Sequence, residues 1–155
     1  MSDDALDRIV AFLRKIGLEV VEAPLDGDTF LPGIRVDAGR LLVDPERLEW
    51  PGDLLHEAGH LALVPAASRP ATTGEVQVPG VPMGQVEPAA MLWSYAAALH
   101  LRLDPAVVFH AGGYRGRGPD LLRTFSYGVY PGLPVLAQLG LADREFPRML
   151  RWLAR

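Results

Sequence analysis

The sequence predicts an α+β fold in which an N-terminal helix and a small β-sheet pack on a central helix, followed by a helical C-terminal half. Three observations predict it. Apolar residues recur at helical spacing over residues 3–16; short β-branched runs broken by turn signals occupy residues 18–44; and from Pro51 onward helical patterns alternate with Pro- and Gly-rich joints. At 155 residues, with 49% hydrophobic and 22% charged, the chain suits one domain (residues 1–155) with a sizeable core.

Leu6, Ile9, Val10, Leu13 and Ile16 share one face, acids open the segment and Gly17 stops it, so residues 3–16 form an amphipathic helix. Leu18 to Glu22 is a short strand. Asp26-Gly27 marks a turn, and Ile34–Asp37 with Arg40–Asp44, joined by Ala38-Gly39, reads as a hairpin. Asp44-Pro45 caps a single helical turn. Pro51-Gly52-Asp53 opens a helix that runs to about Val64, where Pro65 ends it.

Residues 65–86 carry four prolines and three glycines without periodicity, the composition of a functional lid or a partly disordered connection. Glu87-Pro88 opens the next helix, in which Ala89, Ala90, Leu92, Trp93, Ala96, Ala97 and Leu101 are apolar nearly all round, as in a buried helix. Asp104-Pro105 caps a short helix to about His110, and Gly112 to Gly118 is a loop. The remainder, with Asp143 as a cap, reads as two or three short helices.

A net charge of −4 and a pI near 5.5 leave no footprint for nucleic acid or an anionic membrane. With no cysteine, any metal must be held by histidine, carboxylate or water. The first residues are acidic where a signal peptide would be basic, and the longest near-apolar run, Pro88 to Leu101, is too short to span a bilayer. A cytoplasmic enzyme is the expectation. Arginine outnumbers lysine fourteen to one, a genomic bias rather than a functional signal.

One stretch specifies a chemistry: His56-Glu57-Ala58-Gly59-His60, in the middle of the helix opened by Pro51. Two histidines four apart on a helix project about 40° from each other, close enough to share one metal ion. Glu57 stands roughly 100° around the axis from His56, unsuited to be a ligand but placed to take a proton from a water polarised by that ion. Shuffling this composition produces His-Glu-x-x-His roughly once in 250 sequences, so the surrounding residues must carry the case.

A catalytic zinc takes three protein ligands and keeps a fourth position open. The metzincin extension requires glycine and histidine where this chain has Leu63 and Ala66, which excludes that class. A carboxylate on a following helix is the other solution. Glu87 leads an otherwise almost uncharged helix 27 residues past His60, where burial demands a cation or metal partner; a first-turn glutamate answering the helix dipole is the bland alternative. Glu75, in the Pro/Gly-rich connection, is the second carboxylate candidate. His100 and His110 are possible further ligands, though partly buried or surface histidines are commoner.

The motif, followed by Glu87-Pro88-Ala89-Ala90 opening a helix with Trp93, Ala96, Ala97 and Leu99, resembles the ImmA/IrrE-like zincins, which are gluzincin-type metallopeptidases. The resemblance covers roughly residues 3–110 and the order of elements. It implies a zincin-like fold, with helix and small sheet packed on the His-Glu-x-x-His active-site helix, and a Glu of the next helix completing the zinc site. Met91 departs from the Asn often found there, and from the acidic residue of thermolysin-like enzymes; the connection is also long.

These residues together lead to the expectation of a zinc (Zn2+) metallopeptidase with His56, His60 and Glu87 as ligands and Glu57 as general base. The oxyanion donor is expected among Tyr114, Tyr127, Tyr130 and His110, with Tyr114 and Tyr127 carried forward as catalytic residues. The expected partner is a peptide or protein substrate, a specific regulatory target rather than material for general digestion, added as a strand along the hairpin at 34–44; no nucleic acid or membrane is implied. Arg115 and Arg117 could favour acidic substrates, although loop arginines are more often simply solvated. A catalytically weak zincin-like binding or regulatory module is the alternative function, and a chance motif in a metal-free interaction domain a third.

Overall fold

The computed structural model describes residues 2–155. Its elements run α1 (Ser2–Ile16), β1 (Glu19–Glu22), β2 (Ile34–Asp37), β3 (Arg40–Val43), α2 (Gly52–Ala62), α3 (Met83–His100), α4 (Gly118–Ser126) and α5 (Leu133–Gln138). Single 3-10 turns occur at Arg69–Ala71, Pro105–Val107 and Tyr114–Gly116. The architecture is α+β, five helices around a three-stranded sheet. No helix among the described residues is long and apolar enough to cross a membrane.

β2 and β3 form the antiparallel hairpin, turning through Ala38 and Gly39 at φ values of 50° and 76°, as a two-residue turn with two left-handed positions requires. β1 joins β3 in parallel, so the order is β1-β3-β2 and β2 is an edge strand. Burial alternates along β2 and β3, placing Ile34, Val36, Leu41 and Val43 in the core. That inner face rests on α2, and α1 closes against α2 and β1.

The largest helix contact is α2 on α3. Leu54, Leu55, Ala58, Leu61 and Ala62 of α2 are fully buried, as are Ala89, Ala90, Leu92 and Trp93 of α3. Gly59 permits the close approach: a Cβ there would lie 2.8 Å from the Ala90 carbonyl oxygen. Glycine inside a helix costs about 1 kcal/mol relative to alanine, so its presence here serves packing.

Several boundaries differ from the sequence reading. α3 begins at Met83, after Pro82, and Pro88 lies inside it. A proline this near the start removes one backbone bond, and the buried apolar face compensates. Glu87 therefore sits in the second turn, beyond the first-turn position expected for a dipole-answering glutamate. Asp104 does cap, accepting from the Ala106 N–H at 2.9 Å, but the segment is a 3-10 turn ending at Val107 rather than a helix to His110. Asp143 accepts from the Glu145 N–H at 2.8 Å, yet no helix follows; the chain folds back through an Ala142–Met149 bridge. The C-terminal half is thus helical only in part. Its last residues are pinned to the end of α2, the Ala154 N–H donating to the Ala62 carbonyl at 2.9 Å and Arg69 to the Ala154 carbonyl at 2.8 Å.

Candidate metal centre

His56 and His60 leave α2 one turn apart and meet Glu87 of α3. His56 Nε2 lies 3.0 Å from Glu87 Oε1, His60 Nε2 lies 3.0 Å from Oε2, and the two Nε2 atoms are 3.3 Å apart. Among the described residues, these three form the group of ligand-type side chains close enough to share a metal ion. The donor set fits one: metal bonds of about 2.0–2.1 Å at tetrahedral angles put neighbouring ligand atoms about 3.3 Å apart. Two neutral nitrogens and one carboxylate suit a borderline divalent metal.

Electrostatics bind the three together. Burial alone would raise the Glu87 carboxyl, but hydrogen bonds and charge from His56 and His60 outweigh it and hold the group well below the usual carboxylate range. Burial likewise opposes a charged His60, yet its hydrogen bond to Glu87 and the charges of Glu87 and Glu57 hold it above its ordinary value.

Glu57 does not join the cluster. It lines a cleft of about 700 Å³ together with His60 and Glu87. The edge strand supplies Ile34, Arg35 and Val36 to that cleft, residues 28–31 and 73–76 flank it, and Met83 and Val86 come from the start of α3. A carboxylate facing the same space as two of the three clustered side chains, without contacting them as they contact each other, is placed for proton transfer.

The remaining candidates are scattered. Tyr114 reaches the opposite side of His56, its hydroxyl 2.7 Å from Nδ1. Tyr114, expected as an oxyanion donor, does not line the cleft that holds Glu57, His60 and Glu87. Burial, then the negative charges of Glu87, Asp53 and Glu57, push the Tyr114 phenol well above its ordinary value, so it stays protonated. Tyr127 is 79% exposed at the end of α4, and Tyr130 packs edge-on against Phe146 at 4.6 Å; neither lines the cleft. Glu75 lines the cleft but stays exposed, outside the cluster. Arg115 and Arg117 are exposed and do not line it. His100 packs against Phe12 and Trp152.

His110 lies outside the cluster. Its Nε2 is 2.8 Å from Asp53 Oδ1, both side chains are below 10% exposure, and its ring stacks on Trp50 at 4.1 Å. Burial raises the Asp53 carboxyl, and the hydrogen bond and charge of His110 oppose that rise without cancelling it. The sequence reading missed this pair, as well as Gly59 and the exposed Phe30. Only Gly59 had a local signal: a glycine in mid-helix, which the structure sets against Ala90.

No protein-family model matches the chain, and no curated protein or solved structure matches it significantly. The functional reading therefore rests on these residues and their geometry.

Proposed function

We propose that this chain is a zinc-dependent metallopeptidase of the zincin type, resembling the ImmA/IrrE-like enzymes, that hydrolyses a peptide bond in a specific substrate. The observation that carries the reading is the convergence of His56 Nε2, His60 Nε2 and Glu87 within 3.3 Å, with the non-ligating Glu57 on the same cleft. Zinc bound by these three residues would polarise the scissile carbonyl and lower the pKa of water toward about 7. Glu57 takes the proton of the attacking water and returns it to the leaving amine. His56 and His60 bring their nitrogens together because they stand four apart on α2, and the close approach of α3 at Gly59, against Ala90, brings Glu87 to meet them.

The cleft chemistry supports a peptide substrate. β2 is a sheet edge whose Val36 carbonyl already accepts from the Gly74 N–H and whose Ile34 N–H donates to Leu31, so an extended segment can add only a short stretch of strand along it. Phe30, Leu31, Val76, Met83 and Val86 offer apolar walls. Asp28 and Glu75 add negative charge, whereas Arg35 already donates to the Asp26 carbonyl at 2.5 Å. An apolar or basic segment suits this lining better than the acidic one that Arg115 and Arg117 suggested.

The test has two parts. Purified protein should carry about one zinc per chain. On a peptide selected from a fluorogenic library, Glu57→Gln should keep zinc and lose at least about a hundredfold in cleavage rate, since this form of proton transfer contributes roughly 10²–10⁴. Equal rates for the two proteins on a confirmed substrate would overturn the mechanism.

A further inference from the structure

We infer that Tyr114 is the positioning residue of His56, held there by a loop that the buried Asp53–His110 pair anchors to the same helix. The inference rests on the metal-site reading of His56, His60 and Glu87. A ligating imidazole turns on two bonds at once, one from each nitrogen, and the partner of the nitrogen facing away from the metal sets ring orientation and tautomer. His56 presents Nε2 to Glu87 and Nδ1 to the Tyr114 hydroxyl, at 3.0 and 2.7 Å. A hydroxyl accepts as well as donates, so it can accept from Nδ1–H when Nε2 offers its lone pair to a metal.

The loop is built to deliver that hydroxyl. Tyr114 and Arg115 both adopt left-handed backbone, at φ of 53° and 56°, and consecutive non-glycine residues in this region cost on the order of 1–3 kcal/mol each. Such a conformation persists where the surroundings over-determine it. Here the Tyr114 ring stacks on the buried Phe109, with centroids 5.6 Å apart and planes 19° apart. The loop is tied down next to it: His110 is hydrogen-bonded to Asp53 and stacked on Trp50. Gly113 seats against the His110 ring, where a Cβ would lie 3.2 Å from Cε1. Gly118 seats against the His110 carbonyl, where a Cβ would come within 2.3 Å. Asp53 lies one turn before His56 on α2, so the ligand and the anchor of its positioning loop share one rigid segment.

Tyr114→Phe removes the hydroxyl and keeps the ring that stacks on Phe109. It should still fold in the presence of chelator, with a melting temperature lower by only a few degrees, the usual effect of one lost buried hydrogen bond. Its zinc affinity, measured by competition with a chelating dye, should fall about 10- to 100-fold, the usual loss when such a partner is removed. Asp53→Asn should weaken zinc in the same direction by less. In long-range proton–nitrogen spectra of the zinc-loaded protein, the His56 Nδ1 proton should be protected in wild type and exchange-broadened in Tyr114→Phe, with His60 unchanged. A merely structural role would not move that one signal. Equal zinc affinity together with an unchanged His56 signal would overturn this inference and leave the metal site standing. A wild-type chain that takes up no zinc would overturn both.

Discussion

The two regions that meet at His56 are held by different physics. The α2–α3 pair, which carries His56, His60 and Glu87, is locked by many fully buried apolar side chains, each replaceable in part by its neighbours. The Gly112–Gly118 loop, which carries Tyr114, is held by one buried hydrogen-bonded pair, two ring stacks and glycine contacts made atom to atom. Redundant packing places a group robustly; a few directional contacts place it sharply and fail singly. The cluster geometry should therefore tolerate mild core changes, whereas the orientation of the His56 imidazole depends on individual atoms.

The largest effect expected on the helix pair is loss of metal. His60→Ala and Glu87→Gln should each fall from about one equivalent of zinc to a small fraction after dialysis, because two protein ligands rarely retain a catalytic-type zinc. Elemental analysis of the dialysed proteins decides it. Retention of a full equivalent in either variant would remove that residue from the ligand set, and the contrast with the merely weakened loop variants would disappear.

Gly59→Ala probes the redundancy itself. The substitution gains about 1 kcal/mol of helix propensity, but its Cβ meets a backbone oxygen at 2.8 Å that cannot swing aside. Overpacking of this kind costs roughly 1–3 kcal/mol and forces α2 and α3 apart. Denaturant midpoints should fall, and zinc affinity should fall with them as Glu87 is drawn from the imidazoles. An unchanged midpoint would mean that the helices separate freely, contrary to a rigid platform.

The uneven legibility of the sequence follows the same division. α2 was readable because its start, its Pro65 stop and its motif are all local signals, and the hairpin was readable from Ala38-Gly39 between the runs Ile34–Asp37 and Arg40–Asp44. Glu87 could be singled out because a carboxylate in an apolar helix is conspicuous. The true start of α3 was missed because Pro88 was read as the first-turn proline, although Val86, Ala90, Trp93 and Ala97 continue one helical face backward across it. The Asp53–His110 contact joins residues 57 apart and leaves no periodic trace, so the anchoring of the Tyr114 loop to α2 was not legible. The terminal bridge between Ala142 and Met149 was equally hidden, since neither flank has the length or alternation of a strand.

A pH series sharpens the comparison further. Glu87 is held below its ordinary 4.5, so its contribution to stability is present above about that pH and lost as acid titrates it. His60 is held above its ordinary 6.5, so its contribution is complete below that pH and lost as pH rises through the raised value. Chelator-treated protein should therefore draw most from this cluster between pH 4.5 and 6.5. Zinc reverses the upper limb, because coordination requires neutral imidazole and the loaded protein gains as pH climbs. Thermal melts with and without zinc should diverge above pH 6.5 and converge below it. Parallel curves would show that the histidines do not couple to the metal.

The smallest effect is expected where neither kind of constraint operates. Phe30 lies at the cleft and is 94% exposed, an aromatic ring that contributes almost nothing to the core. Phe30→Ala should change stability by no more than about 0.5 kcal/mol, as for other surface sites. If the ring contacts an apolar substrate side chain, its loss removes binding that is equal in the ground and transition states, so KM should rise several-fold while kcat holds. Leucine at the same position should restore much of the loss, since apolar area rather than ring shape is what the contact requires. Zinc content should not move, because Phe30 is almost fully exposed and is not one of the clustered ligand-type residues. A fall in kcat with KM unchanged would instead place Phe30 in the transition state, and would make this flank of the cleft, like the Tyr114 loop, a site of directional rather than merely apolar contact.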